Sequence, residues 1–418
     1  MVSHDPIIPA LRAVELLSVM HQGQDLFLLR DPEGYASEPI VLAPASAALL
    51  RYFDGQHRVR DVQTELTQAT GQIVPSSQIE DFVAKLDSYL YLESETYRRR
   101  RREITRTYAA LRQRPPRFAG EAYSDDGEGL LRELDLLYDV AGGPGRPEAP
   151  AATRPAALVA PHIDPARGGP TYAHAYRALW GARPERVVVL GVCHSGSREP
   201  FILTTKDYQT PLGTARCDRS LVEHLAQSVE GNPLSEEEKH RGEHSIEFQI
   251  IFLQHALSQG GTISDAADPT IVPILCALPW QVFLPGPEMQ AIAAKVNAFL
   301  EALAHILRDD AAGTLWIAGV DLAHVGRRFG DSGTLSDSYL ARLRQRDLAT
   351  LTTLARGDRD GFVREMIEER DERRICGFGA LYSLLTLLPA ATGDVLDYGQ
   401  SVDQAADSAV SFAAIRFE

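Results

Sequence analysis

Residues 156–176, AALVAPHIDPARGGPTYAHAY, run from an unbroken apolar stretch through His162 and Asp164 into a Gly168-Gly169 pair and then a helical pattern. A short apolar run closed by turn residues reads as a strand buried on both faces, and TYAHAYRALW after it as a helix. The alternation recurs to the end of the sequence. RVVVLGV (186–192), PFILTT (200–205), TIVPILCAL (270–278), TLWIAGV (314–320) and VSFAAIRF (410–417) are further strand candidates. DRSLVEHLAQSV, HSIEFQIIFLQHAL, MQAIAAKVNAFLEALAHIL and LSDSYLARLRQRDLATLTTLARG lie between them as helices. Strands alternating with helices predict an α/β domain whose central sheet is flanked by helices on both faces. No internal repeat is evident.

In open α/β sheets, ligands sit beyond the carboxyl ends of the strands. Each such end here carries a reactive residue: His162 in VAPHID, His194 in VVLGVCHSG, Asp321 and His324 in LWIAGVDLAH. One His at a strand end is commonly a hydrogen-bonding loop residue; three at corresponding positions point to a site. His is also the most frequent metal ligand and the usual general base near neutral pH. In GEHSIEFQ, His244 and Glu247 are three apart and share a face if a helix starts there, so both are candidates to reach a shared site as catalytic acid/base groups; the alternative is a solvated helix start, to which Glu243 and Glu247 are equally suited. Cys376, in RRICGFGALYSLL, precedes a Gly-Phe-Gly turn into an apolar helix, where a thiolate is favoured as ligand or nucleophile. It could equally be inert packing. Walker A, GxGxxG, HExxH and GxSxG patterns are missing from the sequence, which removes the usual support for nucleotide-cofactor and serine-hydrolase chemistry.

The 418 residues are ample for two domains. Four widely spaced cysteines without a CxxC argue against a disulfide framework and a zinc ribbon. With no long apolar span and no signal-like start, the expectation is a cytoplasmic protein that does not enter a membrane. A net charge of −15 disfavours nucleic acid as partner. Residues 1–95 hold fourteen Asp/Glu against six Lys/Arg. Their two short strand patterns (DLFLLR, EPIVLA) and three helical ones (from PASAALLRYFDG, VRDVQTELTQAT and SSQIEDFVAKLDSYLYL) predict a small α+β winged-helix domain. Residues 96–114 form an Arg-rich stretch, read as a solvated linker helix; 115–418 is the α/β domain.

The first segment resembles the PqqD-like peptide-recognition modules in its apolar strand, helix ending in Asp54-Gly55 and two further helices. That resemblance implies docking of a peptide strand at 1–95. From about Pro115 onward the chain resembles the Memo family, whose bacterial form is called AmmeMemoRadiSam system protein B. FAGEAY, APHIDPARGGPTYAHAY, VVLGVCHSG, YQTPLGT, EHSIEFQ, VDLAHVG, ICGFGALYSLL, DYGQS and DSAVSFAA carry it, in family order. The resemblance implies the class III extradiol dioxygenase-like fold and a redox-active metal centre. Its metal ligands would be His162, His194 and Cys376, with His324 as acid/base and Asp321 beside it. Fe(II) is the first expectation for the metal, then copper, then zinc. A radical SAM protein and an AMMECR-type protein are the implied partners. Ser195 and Phe378-Gly379 stand where animal Memo sequences have further His residues, which bears on how the metal is tuned. The leading reading is a mononuclear metal oxidoreductase. The alternatives are a non-catalytic peptide- or metal-binding partner protein and a metal-dependent hydrolase.

Overall fold

The computed structural model describes residues 5–21, 24–36, 38–151, 153–259 and 269–418, which form two compact units, 1–110 and 111–418. In the first unit, strands β1 (Glu15–His21), β2 (Gln24–Arg30) and β3 (Ile40–Leu42) form an antiparallel sheet in that order. Helices α1 (Pro44–Leu49), α2 (Val59–Thr70), α3 (Ser76–Ser88) and α4 (Glu95–Ala109) follow. Leu29, Ile40, Leu42, Val62, Ile79, Leu86 and Leu92 share one core. β1 is an addition to the sequence expectation.

The Arg-rich stretch is not a free linker. Tyr97 and Tyr108, eleven residues and so three turns apart, are buried on one face of α4, which belongs to the first unit; Arg98, Arg99, Arg100 and Arg102 are exposed. Arg114 lies in the second unit and is fully buried.

The second unit contains, in chain order, β4 (Gln113–Arg114), α5 (Gly127–Asp139), β5 (Ala157–Ala160), α6 (Pro165–Arg177), β6 (Arg186–Val192), β7 (Phe201–Leu203), β8 (Asp207–Thr210), β9 (Gly213–Ala215) and α7 (Arg219–Gln227). Then come α8 (Glu247–Leu257), β10 (Thr270–Cys276), α9 (Pro287–Ile306), β11 (Thr314–Gly319), β12 (His324–Gly326), α10 (Asp337–Ala355), α11 (Arg359–Glu369), α12 (Phe378–Leu387), β13 (Gly393–Asp403) and β14 (Ser408–Phe417).

Eight strands make a mixed sheet in the order β12-β14-β5-β11-β6-β10-β7, with β13 also on β14. Its centre, β5-β11-β6-β10, is parallel. β14 and β7 run antiparallel to that block on either side. The apolar run of β6 explains its burial: Val188, Leu190 and Val192 meet α7, α9, α11 and α12 on one face, while Val187 and Val189 meet α5, α6 and α8 on the other. A sheet covered by helices on both sides leaves its strand ends for chemistry. YQTPLGT forms the β8–β9 hairpin, which with β4 makes a separate three-stranded sheet.

Candidate metal centre

The parallel strands deliver His162, His194 and Asp321 to the same edge, because β11 lies between β5 and β6 and all three run the same way. The start of α8 closes on this edge. Ser245 Oγ accepts from Val192 N and donates to Val192 O, both at 3.0 Å. Gly319 permits the approach: a Cβ there would lie 2.5 Å from the Ser245 carbonyl oxygen. One donor atom each from His162, His194 and His244 then lie within 4.8 Å of one another. His194 and His244 stack at 4.9 Å between ring centres with 12° between planes, and His162 stands edge-on to both.

The second nitrogen of each ring is engaged behind it. His162 Nδ1 faces the Gly319 carbonyl at 2.9 Å, so it carries the proton and Nε2 is left as the donor. His194 Nδ1 lies 3.0 Å from Glu243 Oε1, and His244 Nδ1 lies 3.3 Å from the same oxygen. Glu243 also accepts from the backbone N–H groups of His194, His244 and Ser245. Cys376 Sγ is 3.3 Å from His162 Nε2. Gly377 lets this turn press on the end of β11, since a Cβ would come within 2.5 Å of Val320 Cβ.

Charge follows from these surroundings. Burial pushes His162 and His244 down to about 3, so both rings are neutral and able to bind a metal. For His194 the enclosure of the ring opposes the charged form, but the Glu243 carboxylate outweighs it and raises the pKa. Burial raises the Cys376 thiol, with His194 pulling the other way. Desolvation thus works against the thiolate that a helix start would favour. Asp321 is also raised by burial; its Oδ1 accepts from His162 N at 3.0 Å and Ile163 N at 3.1 Å, and its Oδ2 lies 3.6 Å from His162 Nε2. His324 Nδ1 faces the carbonyls of Leu322 and Arg374, each at 3.2 Å, and burial brings the ring down to about 4.

Six of the seven residues singled out in the sequence thus gather here: His162, His194, His244, Asp321, His324 and Cys376. His244 joins the imidazole cluster itself, rather than standing apart as an acid/base. Glu247 is a correction. α8 begins at Glu247, so His244 precedes the helix and the shared-face rule does not apply. The Glu247 carboxylate is fully buried in an ion pair with Arg114 at 2.5 Å and accepts from Arg117 N, Phe118 N and Tyr123 Oη. It has no capacity left for catalysis. Asp164 likewise caps α6, accepting from Ala166 N. The role of Glu243 in orienting two rings was missed; its only sequence signal is its place directly before His244.

The sequence profile of the family described as Memo-like protein matches residues 114–416. A MEMO1 family protein of Aquifex aeolicus is 27% identical over 396 residues, 94% of this chain and 96% of its own length. One from Thermus thermophilus is 30% identical, covering 84% of this chain and 96% of its own. One from Pyrococcus furiosus is 27% identical over 308 residues, 71% of this chain and 96% of its own. The Pyrococcus protein is therefore matched almost whole by less than three quarters of this chain.

Proposed function

The chain belongs to the Memo-like family, and on that premise we propose that the cluster at the strand ends is a mononuclear transition-metal centre used for redox chemistry. Fe(II) is the first candidate, copper the second and zinc the third. The carrying observation is the convergence of His162, His194 and His244, with donor atoms within 4.8 Å of one another. The donor set suits such a metal: three imidazoles with their far nitrogens tied, two of them kept neutral by burial, plus a sulfur 3.3 Å from His162 Nε2, favour a softer ion over Mg²⁺ or Ca²⁺. When bound, iron or copper would supply electron transfer and an open position for oxygen or an oxidisable group.

The chain's own residues supply proton handling. With Nδ1 turned to backbone carbonyls, His324 takes or gives a proton at Nε2. Asp321, fixed by two backbone N–H groups, holds the field beside it. A hydrolytic reading has one observation in its favour, since three imidazoles are also a catalytic zinc set. The domain is read as class III extradiol dioxygenase-like. The small first unit is read as a PqqD-like winged helix that docks a peptide; the outer strands β1 and β3 of its sheet support this. A radical SAM protein and an AMMECR-type protein are the partners proposed.

The test is metal content after anaerobic purification, with His162→Ala, His194→Ala and His244→Ala combined in one variant. Wild type is expected to hold about one metal ion per chain and the variant a small fraction of it. Equal metal in both would sink the ligand assignment, and activity without any oxygen dependence would favour hydrolysis.

A further inference from the structure

We propose that Arg373 is a positioning residue which, through the turn at 370–376, sets the Cys376 thiol and the His324 ring together although it touches neither side chain. The proposal rests on the reading above for what those two groups do, but its geometry stands apart from any metal.

The chain leaves α11 through a turn of unusual backbone. Arg370, Asp371 and Arg374 have φ of 52°, 50° and 54°, a left-handed region that side chains other than glycine adopt at a cost. Three such residues within five positions persist only where neighbours fix them. Asp371 accepts from Ile375 N at 2.7 Å, pinning the turn from within. Arg373 pins it from below. Its guanidinium is buried and donates to Asp347 at 2.7 Å, Thr350 at 2.8 Å and Glu369 at 2.9 Å. Asp347 is in turn held by Tyr398 Oη at 2.7 Å. Three acceptors in different directions call for the planar fork of Arg; a Lys ammonium cannot match their geometry.

The upper side of the turn reaches the site. The Arg373 carbonyl accepts from His324 N at 2.7 Å, and the Arg374 carbonyl lies 3.2 Å from His324 Nδ1. Two residues on, Cys376 Sγ meets His162 Nε2. One rigid turn thus aims the thiol and, together with the Leu322 carbonyl, selects the His324 tautomer. Releasing Arg373 is expected to loosen both at once.

The experiment uses full-length, metal-free protein with Arg373→Met and Arg373→Lys. Iodoacetamide alkylation of each cysteine, mapped by mass, is measured beside the His324 tautomer by nitrogen-15 NMR. Cys376 should react roughly tenfold faster in Arg373→Met, with Cys193, Cys217 and Cys276 still protected and His324 shifted to a tautomer mixture. Should that variant fail to fold, Arg373→Lys decides by the same two readouts, with a smaller change in the same direction. An unchanged Cys376 rate with an unchanged tautomer overturns the proposal, as does equal opening of all four cysteines, which marks a purely structural role. Lack of metal in the wild type would defeat the metal reading while leaving these readouts intact.

Discussion

Two walls of the site are built on opposite principles. The closed wall carries His162 and Asp321, whose side chains are only 2% and 3% exposed, with the half-buried Cys376 beside them. The open wall carries His194 and His244, whose side chains are 33% and 30% exposed. On the closed wall the imidazole leans on a neutral backbone carbonyl, and burial leaves it uncharged. On the open wall a carboxylate, Glu243, serves both rings. Both kinds of partner fix direction and raise ring basicity, but only the charged carboxylate is strong enough to outweigh desolvation, and it does so at His194. The difference teaches that the open wall's strength as a donor depends on one side chain, while the closed wall's is written into the backbone.

The largest expected effect lies beneath the open wall. Arg114 donates to the carbonyls of His240 and Glu243 at 2.5 and 2.9 Å and pairs with Glu247, and both members of the pair are fully buried. Arg114→Met strands a buried carboxylate and is expected to cost about 3–5 kcal/mol by denaturant unfolding. Adding Glu247→Gln should recover part of it; a loss below about 1 kcal/mol would mean that this brace is not needed.

Next comes acid. His240, buried under the same wall, accepts from Tyr208 Oη at Nδ1 and donates to the Ile202 carbonyl, and burial lowers its pKa from 6.5 to about 4. Between those values the unfolded chain takes up a proton that the folded protein refuses. The His240 contribution to stability should therefore fall as pH drops through 6.5 towards 4, by at most about 1.4 kcal/mol per pH unit on top of the like contributions of His162, His244 and His324, and it is fully lost below the folded pKa. His240→Gln should flatten that slope in a pH series of unfolding curves; an unaltered slope would remove His240 as its source.

The smallest effect sharpens the comparison itself. Glu243→Gln keeps an acceptor near both open-wall rings but removes the charge, so metal affinity should fall about 10–100-fold without loss of fold. Titration with Co(II) and Zn(II) reads it, and unchanged affinity would make the two walls equivalent.

What the sequence makes legible follows from the same physics. β5, β6, β10 and β11 are buried on both faces, so they appear as apolar runs. β13 is half-exposed over most of its length, and β12 is only three residues long, so neither leaves such a run. Strand-end histidines are visible because the position beyond a parallel strand is fixed by the strand. Glu243 and Glu247 are not told apart because their roles turn on where α8 begins, within one or two residues. Arg114 and Arg373 are hidden for another reason: an arginine in an Arg-rich stretch reads as solvated, and only tertiary packing reveals that these two are enclosed.

β14 has a consequence for how the molecule is made. It lies between β12 and β5 in the sheet and supplies the partner of β5, more than 250 residues earlier in the chain. During synthesis at roughly 5–20 residues per second, the first unit is complete within its own 110 residues and can fold as it emerges. The second must wait with the side of β5 that faces β14 unpaired until 408–417 leave the ribosome. A chaperone therefore has its longest opportunity on that waiting strand.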